Sequence, residues 1–389
     1  MFKLSSDIII NRDYILNKRT GEAYVLDSQS RCLLEDPDFK GLYKKENVKL
    51  RNQLLKQGII FDDEFQKDKE IFHVQWHILN NCNLRCKHCY DWKEKEIVLS
   101  FGQLCKVVDD YVFFLKKMGF NGEISLTGGE PTMHKQLIDL IEYIKQKEVY
   151  IGLYILTNGV NISDEFIAIV KKYNIGVQVS LDGLESTHDD IRGKGSYNKT
   201  VSNITKLLAN GVRVAVHYVI MRKNMEDIKP FILQLNSIGV KRINFSTLIP
   251  IGPGAQEQVV SNIQLKECME LIKDLQNKVE TSIIGQRPLW AILGYNGVCP
   301  IGYRTLTINA KGDFLPCRRL PIRLGNVLED SWFDVWLNND FLCKMRDREN
   351  SLSKCGKCKF LEKCAGCRAM AMATTGDPFG KDEYCWIDE

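Results

Sequence analysis

From residue 71 onward, short apolar runs alternate with segments whose apolar positions recur every three or four residues. The runs are IFHVQWHIL (71–79), EISLT (123–127), VYIGLYILT (149–157), IGVQVSL (175–181), VRVAVHYVI (212–220) and VKRINFSTL (240–248). Each has the length and the β-branched and aromatic content of a buried strand. Between them QLCKVVDDYVFFLKKMG, QLIDLIEYIKQK and DEFIAIVKKY carry the helical period. Strands separated by helices predict repeated βαβ units and a parallel sheet. Eight strands close a full barrel and six leave one open, but the count is equally compatible with a doubly wound sheet. In either case the site belongs in the loops after the strand C-termini.

Residues 1–70 have a different texture. DIIIN, DYILN and AYVLD read as short strands, with NKRTGE as a turn, followed by a charged helical stretch up to LLKQGII. This predicts a small α+β module, with DDEFQKDKE as its linker. The chain shows no repeat of fixed period and no low-complexity tract, and residues 286–389 are rich in cysteine. Three segments follow: 1–70, 71–285 and 286–389.

Composition narrows the function. The chain has 389 residues, 44% hydrophobic and 26% charged, enough apolar material for a large core. Lys and Arg number 53 against 49 acidic residues, a net charge of +4. That excludes a strongly electrostatic nucleic-acid partner. No apolar run approaches the ~18 residues of a membrane span, and MFKLSSDIIINRDYIL lacks the layout of an export signal. The expectation is a soluble cytoplasmic protein with neither a nucleic-acid nor a membrane partner. Fourteen cysteines are the outlier. In a cytoplasmic chain they read as metal ligands or catalytic groups rather than a disulfide framework.

Three of them, Cys82, Cys86 and Cys89, stand in one loop directly after the first strand, at spacings of four and three. Three thiolates so placed can wrap one metal centre. Zinc is the plain alternative, although structural zinc fills four positions and only His88 offers itself as a fourth. An iron–sulfur cluster held by three thiolates keeps one iron free for a substrate.

Cys82-x3-Cys86-x2-Cys89 after a first strand resembles the signature of the radical S-adenosylmethionine (SAM) superfamily. His88 takes the position where that family carries an aromatic residue beside the adenine. Gly128-Gly129-Glu130-Pro131, after the second strand, looks like its motif for the methionine amino group. Thr157-Asn158-Gly159 ends the third strand, and Ser180-Leu-Asp182-Gly183 ends the fourth, with Arg192 following. The resemblance implies a partial (β/α)6 TIM-like barrel in which Cys82, Cys86 and Cys89 are the catalytic cluster ligands of a 4Fe-4S centre. It further implies cofactor contacts from His88, Gly128, Gly129, Glu130, Asn158, Ser180, Asp182 and Arg192, with Ser180 and Arg192 on the SAM carboxylate or ribose. The reaction implied is reductive cleavage of SAM to a 5'-deoxyadenosyl radical that takes a hydrogen from the substrate, with electrons from a low-potential donor such as flavodoxin or ferredoxin. The family's glycine-rich fifth strand is not visible in VRVAVHYVIMRKN.

Seven cysteines follow near the C-terminus: Cys299, Cys317, Cys355, Cys358, Cys364, Cys367 and Cys385. Two short pairs among them could hold one zinc as a ribbon, but that leaves the other three without a purpose. With Gly312-Asp-Phe-Leu-Pro316-Cys317, Leu324-Gly-Asn-Val and Cys367-Arg-Ala, the region resembles the SPASM extension of radical SAM enzymes, which houses two auxiliary 4Fe-4S clusters. By that pattern Cys355, Cys358, Cys364 and Cys385 hold the outer cluster, and Cys299, Cys317 and Cys367 the inner one. The third gap is two residues where many members have three, and no fourth inner ligand stands just upstream of Cys299. Cys32, Cys105, Cys268 and Cys343 are left as buried small hydrophobes, unless one donates hydrogen to a substrate radical, which would mark an epimerase.

The resemblance points to peptide or protein substrates, modified by oxidation or by thioether or carbon–carbon crosslinks. The N-terminal module looks like the leader-peptide recognition module of peptide maturases, so a peptide with a leader is the expected partner; a simple capping extension is the plain alternative. Cys364-x2-Cys367-Arg-Ala and Leu-Gly-Asn-Val also resemble SPASM enzymes of haem or other tetrapyrrole synthesis. A simple electron carrier would need neither the Gly-Gly-Glu-Pro loop nor a barrel of this size.

Overall fold

The computed structural model describes residues 2–4, 8–10, 14–17, 23–35, 45–56, 59–62, 70–90, 98–257, 259–285, 288–295 and 299–387. They divide into two units, Met1–Glu70 and Ile71–Glu389. In the first unit β1 (Phe2–Leu4) pairs antiparallel with β5 (Ile60–Asp62). A separate antiparallel meander is formed by β2 (Ile8–Ile10), β3 (Tyr14–Asn17) and β4 (Ala23–Val25). Two helices follow, α1 (Ser28–Glu35) and α2 (Val48–Lys56). Ile8, Ile15, Leu34, Leu54 and Ile59 form the core of this unit. Most of the NKRTGE turn and of the DDEFQKDKE linker falls at 18–22 and 63–69, outside the described residues.

The second unit is built on the six strands the apolar runs predict. They are β6 (Ile71–His77), β7 (Asn121–Thr127), β8 (Ile151–Thr157), β9 (Gly176–Ser180), β10 (Val214–Ile220) and β11 (Arg242–Thr247), each parallel to the next. The sheet runs on past both ends. β12 (Ser282–Gly285) adds parallel to β11, and β13 (Thr305–Ile308) adds parallel to the far side of β6. The antiparallel β14 (Asp313–Leu315) and β15 (Gly325–Asn326) complete the order β12-β11-β10-β9-β8-β7-β6-β13-β14-β15. The cysteine-rich region is therefore continuous with the barrel sheet.

Alternation within the strands sets the curvature and the lining. Phe72, Val74, Trp76, Ile124, Leu126, Val177, Val216 and Phe245 are buried in the apolar core. The residues between them face the other way. His73, Glu123, Tyr154, Gln178, Ala215, Asn244, Gly285 and Thr305, one from each of β6 to β13, line a single cavity, so the sheet wraps around it. A closed eight-stranded barrel is packed inside with branched apolar side chains; this one keeps an open lumen, lined by polar and charged side chains among apolar ones.

The first helix of the unit shows how the outer layer is specified. α3 (Phe101–Met118) opens on a capping box between Ser100 and Gln103 and stops at Gly119, whose φ of +73° suits glycine. Its buried face, Leu104, Val107, Val108, Tyr111, Phe114 and Leu115, has the helical period. Phe114 packs on Phe72, Phe120, Trp332 and Phe333, tying the barrel wall to the cysteine-rich region. Among the described residues no helix is long and apolar enough to cross a membrane.

Candidate functional site

The loop after β6 owes its path to the glycines after β7. Gly129 N–H donates to the Leu79 carbonyl at 2.9 Å and Glu130 N–H to the Asn81 carbonyl at 2.8 Å. A Cβ on Gly128, which sits at φ +146°, would lie 2.1 Å from the Leu79 oxygen, and one on Gly129 would lie 2.0 Å from the Asn81 oxygen. Only glycine lets the two backbones touch here, and that contact fixes the approach to Cys82.

Glu130 is fully buried and accepts four hydrogen bonds. They come from Thr157 Oγ1 (2.7 Å), Asn158 N–H (2.8 Å), Thr132 Oγ1 (2.7 Å) and Thr132 N–H (3.1 Å). Burial pushes its carboxyl above the usual range against the pull of these donors. The carboxylate thus staples the end of β7 to the end of β8 and sets Asn158. The Asn158 amide in turn donates to Asn83 Oδ1 at 2.7 Å and lies 3.8 Å from Cys82 Sγ.

Across the loop, α4 (Glu185–Arg192) delivers a guanidinium. Arg192 Nε donates to Asp182 Oδ2 at 2.6 Å, its Nη1 is 3.8 Å from Cys86 Sγ, and its Nη2 is 3.4 Å from His88 Nε2. Asp182 has no exposed surface and also accepts from Val219 N–H at 2.8 Å. Burial alone would raise its carboxyl, but Arg192, His88 and that N–H overcome it and hold it at about 2. This is a buried, hydrogen-bonded pair. Burial pushes the Cys86 thiol up to about 12, also raises Cys82, and lowers His88 to about 4. His88 Nδ1 is buried with no hydrogen-bond partner.

These residues border a cavity of about 1090 Å³, counted to its open mouth. Cys82, Cys86, His88, Cys89, Gly128, Gly129, Asn158, Ser180 and Arg192 line it; Glu130 and Asp182 stand behind its wall. The lumen below forms a second cavity of about 2340 Å³, and Cys299, Cys317 and Cys367 lie on its lining.

The remaining thiols fall into two groups. Cys299 feels the charges of Cys317 and Cys367, and burial pushes it up to about 11. Cys364 feels Cys385 and Cys355, while Cys385 feels Cys355 and Cys358. The second group is held by Arg368, whose Nη1 donates to the Pro378 and Gly380 carbonyls while its Nη2 lies 3.6 Å from Cys355 Sγ. Asp382 accepts from Cys367 N–H at 2.7 Å. The four leftover cysteines are not uniformly buried. Cys268 is, but Cys32 and Cys343 are exposed and Cys105 is half-buried, because the first two sit on outward faces of short helices that the apolar pattern does not resolve.

Several lining residues were missed from sequence: Gln178, His217, Ser246, Thr247, Arg318 and Arg319. For the strand residues the only signal is polar residues within otherwise apolar strands, as in GVQVS, AVHYV and INFST; Arg318 and Arg319 stand in the turn after β14 and carry no such pattern.

The chain matches the model of the radical SAM superfamily over residues 76–235 and that of the SPASM iron–sulfur cluster-binding domain over 299–367. It is 25% identical to an AdoMet-dependent heme synthase of Methanosarcina barkeri, over 80% of this chain and 95% of that one. It is 29% identical to the mycofactocin maturase MftC of Mycobacterium ulcerans, over 80% and 87%. In fold it is similar to Streptococcus suis SuiB bound to SAM, with a TM-score of 0.70 at 18% identity, covering 99% of this chain and 100% of that one. SuiB bound to its precursor peptide SuiA gives 0.69.

The residues present suit a sulfur-held cluster. The three loop thiols act on one another electrostatically, with Arg192 beside them to offset thiolate charge. Cys82 and Cys86, raised by burial, are protonated near neutral pH, so they ionise on taking up a metal. Among the described residues no three His, Cys, Asp or Glu side chains gather around a single-ion site. A four-iron cluster spreads its thiolates over different irons, which favours it over the one-ion zinc alternative.

Proposed function

This chain belongs to the radical SAM superfamily and carries a SPASM domain, so it is an enzyme that uses a 4Fe-4S cluster, SAM and auxiliary iron–sulfur clusters, and on that premise we propose that it oxidises or crosslinks a ribosomally made peptide. When bound, the cluster and SAM supply a one-electron cleavage that yields a hydrogen-abstracting 5'-deoxyadenosyl radical. Cys82, Cys86 and Cys89 hold that cluster. His88, Gly128, Gly129, Asn158, Ser180 and Arg192 shape the nucleoside pocket, while Glu130 and Asp182 position Asn158 and Arg192 from behind its wall. Gln178, His217 and Ser246, on the wall of the same pocket, orient the substrate and exclude water. Cys299, Cys317 and Cys367 serve an inner auxiliary cluster beside the lumen, and Cys355, Cys358, Cys364 and Cys385 an outer one. Electrons come from a low-potential donor of the flavodoxin or ferredoxin kind.

The observation that carries the peptide reading is the N-terminal unit. SuiB, crystallised with a precursor peptide, covers this chain end to end, residues 1–70 included. Among the described residues, β2 and β4 each pair on one side only, which leaves sheet edges of the kind that take up an extended leader. A second reading, oxidation of tetrapyrrole propionates, is favoured by the match to nearly the whole length of the archaeal heme synthase. Reconstituted full-length enzyme, given SAM and dithionite under anaerobic conditions, decides between them by mass spectrometry. Loss of two hydrogens from a candidate precursor peptide supports the peptide reading, and solvent deuterium uptake alone makes it an epimerase. Turnover of an iron porphyrin with every peptide unaltered overturns it.

A further inference from the structure

Between the nucleoside pocket and the lumen stand two adjacent arginines, Arg318 and Arg319, which line both cavities. They follow Cys317, just after β14. Arg319 Nη1 donates to the Thr247 carbonyl at 3.2 Å, while its Nε is buried without a hydrogen-bond partner. The charged and titratable groups acting on Arg318 are Tyr90, Arg319 and Cys317, with no carboxylate among them. Of the other arginines lining the two cavities, Arg192 is bound to Asp182, Arg213 to Asn174, Arg242 to Asn244 and Arg368, through Nη1, to backbone carbonyls. Around the larger cavity, Arg213, Lys241, Arg242, Arg318, Arg319 and Arg368 face a single carboxylate among the described lining residues, Glu123. Two half-buried guanidiniums side by side repel each other and each loses part of its hydration, a cost offset when an anion bridges them. A guanidinium fork matches a carboxylate in two parallel hydrogen bonds.

We propose that Arg318 and Arg319 anchor a carboxylate of the substrate at the junction of the nucleoside pocket and the lumen, so that the group presented for hydrogen abstraction belongs to an anionic part of the molecule. The inference rests on the reading of this cavity as the substrate site of a radical SAM enzyme. The chemistry recognised is a carboxylate, whether an acidic side chain or terminus of a peptide or the propionate of a porphyrin.

The test is calorimetric titration of reconstituted, SAM-loaded full-length enzyme with glutarate and with its neutral isostere glutaramide. Glutarate is expected to bind and glutaramide at least about tenfold more weakly, as for loss of a charge-assisted pair. R318Q/R319Q is expected to lose the glutarate preference while keeping SAM affinity and iron content. Equal binding of the two probes, or no binding of glutarate, overturns the proposal from the wild-type protein alone, whatever the variant does. Lost SAM affinity with an unchanged glutarate preference also overturns it, by assigning the arginines to the SAM carboxylate. Displacement of glutarate by an acidic peptide or by an iron porphyrin dipropionate identifies the source, and displacement by neither overturns the assignment. Formation of 5'-deoxyadenosine is scored separately, so failure of the enzymatic reading is distinguishable from failure of the anchor.

Discussion

A methyl group on residue 129 would sit 2.0 Å from the Asn81 carbonyl oxygen, so a side chain there displaces the strand that leads into Cys82. Gly129→Ala is expected to lower SAM affinity by at least about tenfold and to reduce iron at the loop cluster. Titration with SAM and an iron count check both; wild-type values for each would show that the contact is not what positions the loop. His73 makes a second case. Burial, assisted by Arg318, lowers it from 6.5 to about 4, and its ring bonds Thr305 Oγ1 at 3.1 Å and Ser125 Oγ at 3.0 Å. The folded state resists protonation more than the unfolded one. The resulting stability is therefore complete above about pH 6.5 and is lost as pH falls through 4, with a slope of ~1.36 kcal/mol per pH unit. His73→Gln should remove about one proton from the uptake on acid unfolding between those limits, read from unfolding free energies against pH. The cysteine trio and the Gly-Gly pair were legible because their meaning lies in local spacing. Gln178 and His217 were not, since only the curvature of the sheet decides which strand face lines a cavity, and Arg318 was not, since it stands in a turn after β14.

At the level of elements, α3 was legible by its helical period over QLCKVVDDYVFFLKKMG, while its capping box at Ser100 and Gln103 is a finding of the structure. β12 and β13 were not, because four residues carry too little pattern to separate a strand from a loop, even though the helix Asn262–Gln276 leads from β11 into β12. What establishes β13 is its register against β6, Thr305 beside His73 through Ile308 beside Trp76, a pairing across more than two hundred residues that local sequence does not encode. The same long reach appears in the packing of Phe114, whose neighbours Trp332 and Phe333 come from the cysteine-rich region. Phe114→Ala should cost about 3–5 kcal/mol, as for a large aromatic lost from a closed core. The barrel and the C-terminal region should therefore lose protection together in hydrogen exchange. Loosening of the barrel alone would show that the two regions are held by other contacts.

Across the whole molecule the thiols form three sets, one at the mouth of the sheet, one on the lumen and one beneath Arg368 and Asp382. An oxidation that removes two electrons from a substrate needs somewhere for the second to go. Abstraction of one hydrogen atom accounts for a single electron, so the substrate must still release another. The inner set borders the lumen, and Cys367 N–H is held by Asp382, which also acts on Cys364 and Cys385, so the two auxiliary sets adjoin and offer an exit route. Intact enzyme should carry about twelve irons per chain, and Cys385→Ala about eight. That variant should still form 5'-deoxyadenosine under dithionite, because the loop set is untouched, yet yield no oxidised product, because the exit is cut. The measurement pairs an iron count with the ratio of product to 5'-deoxyadenosine. Full product from a chain holding about eight irons would mean that the electron leaves by the inner set alone, while loss of SAM cleavage along with product would mean that Cys385 supports the barrel rather than a route out of it.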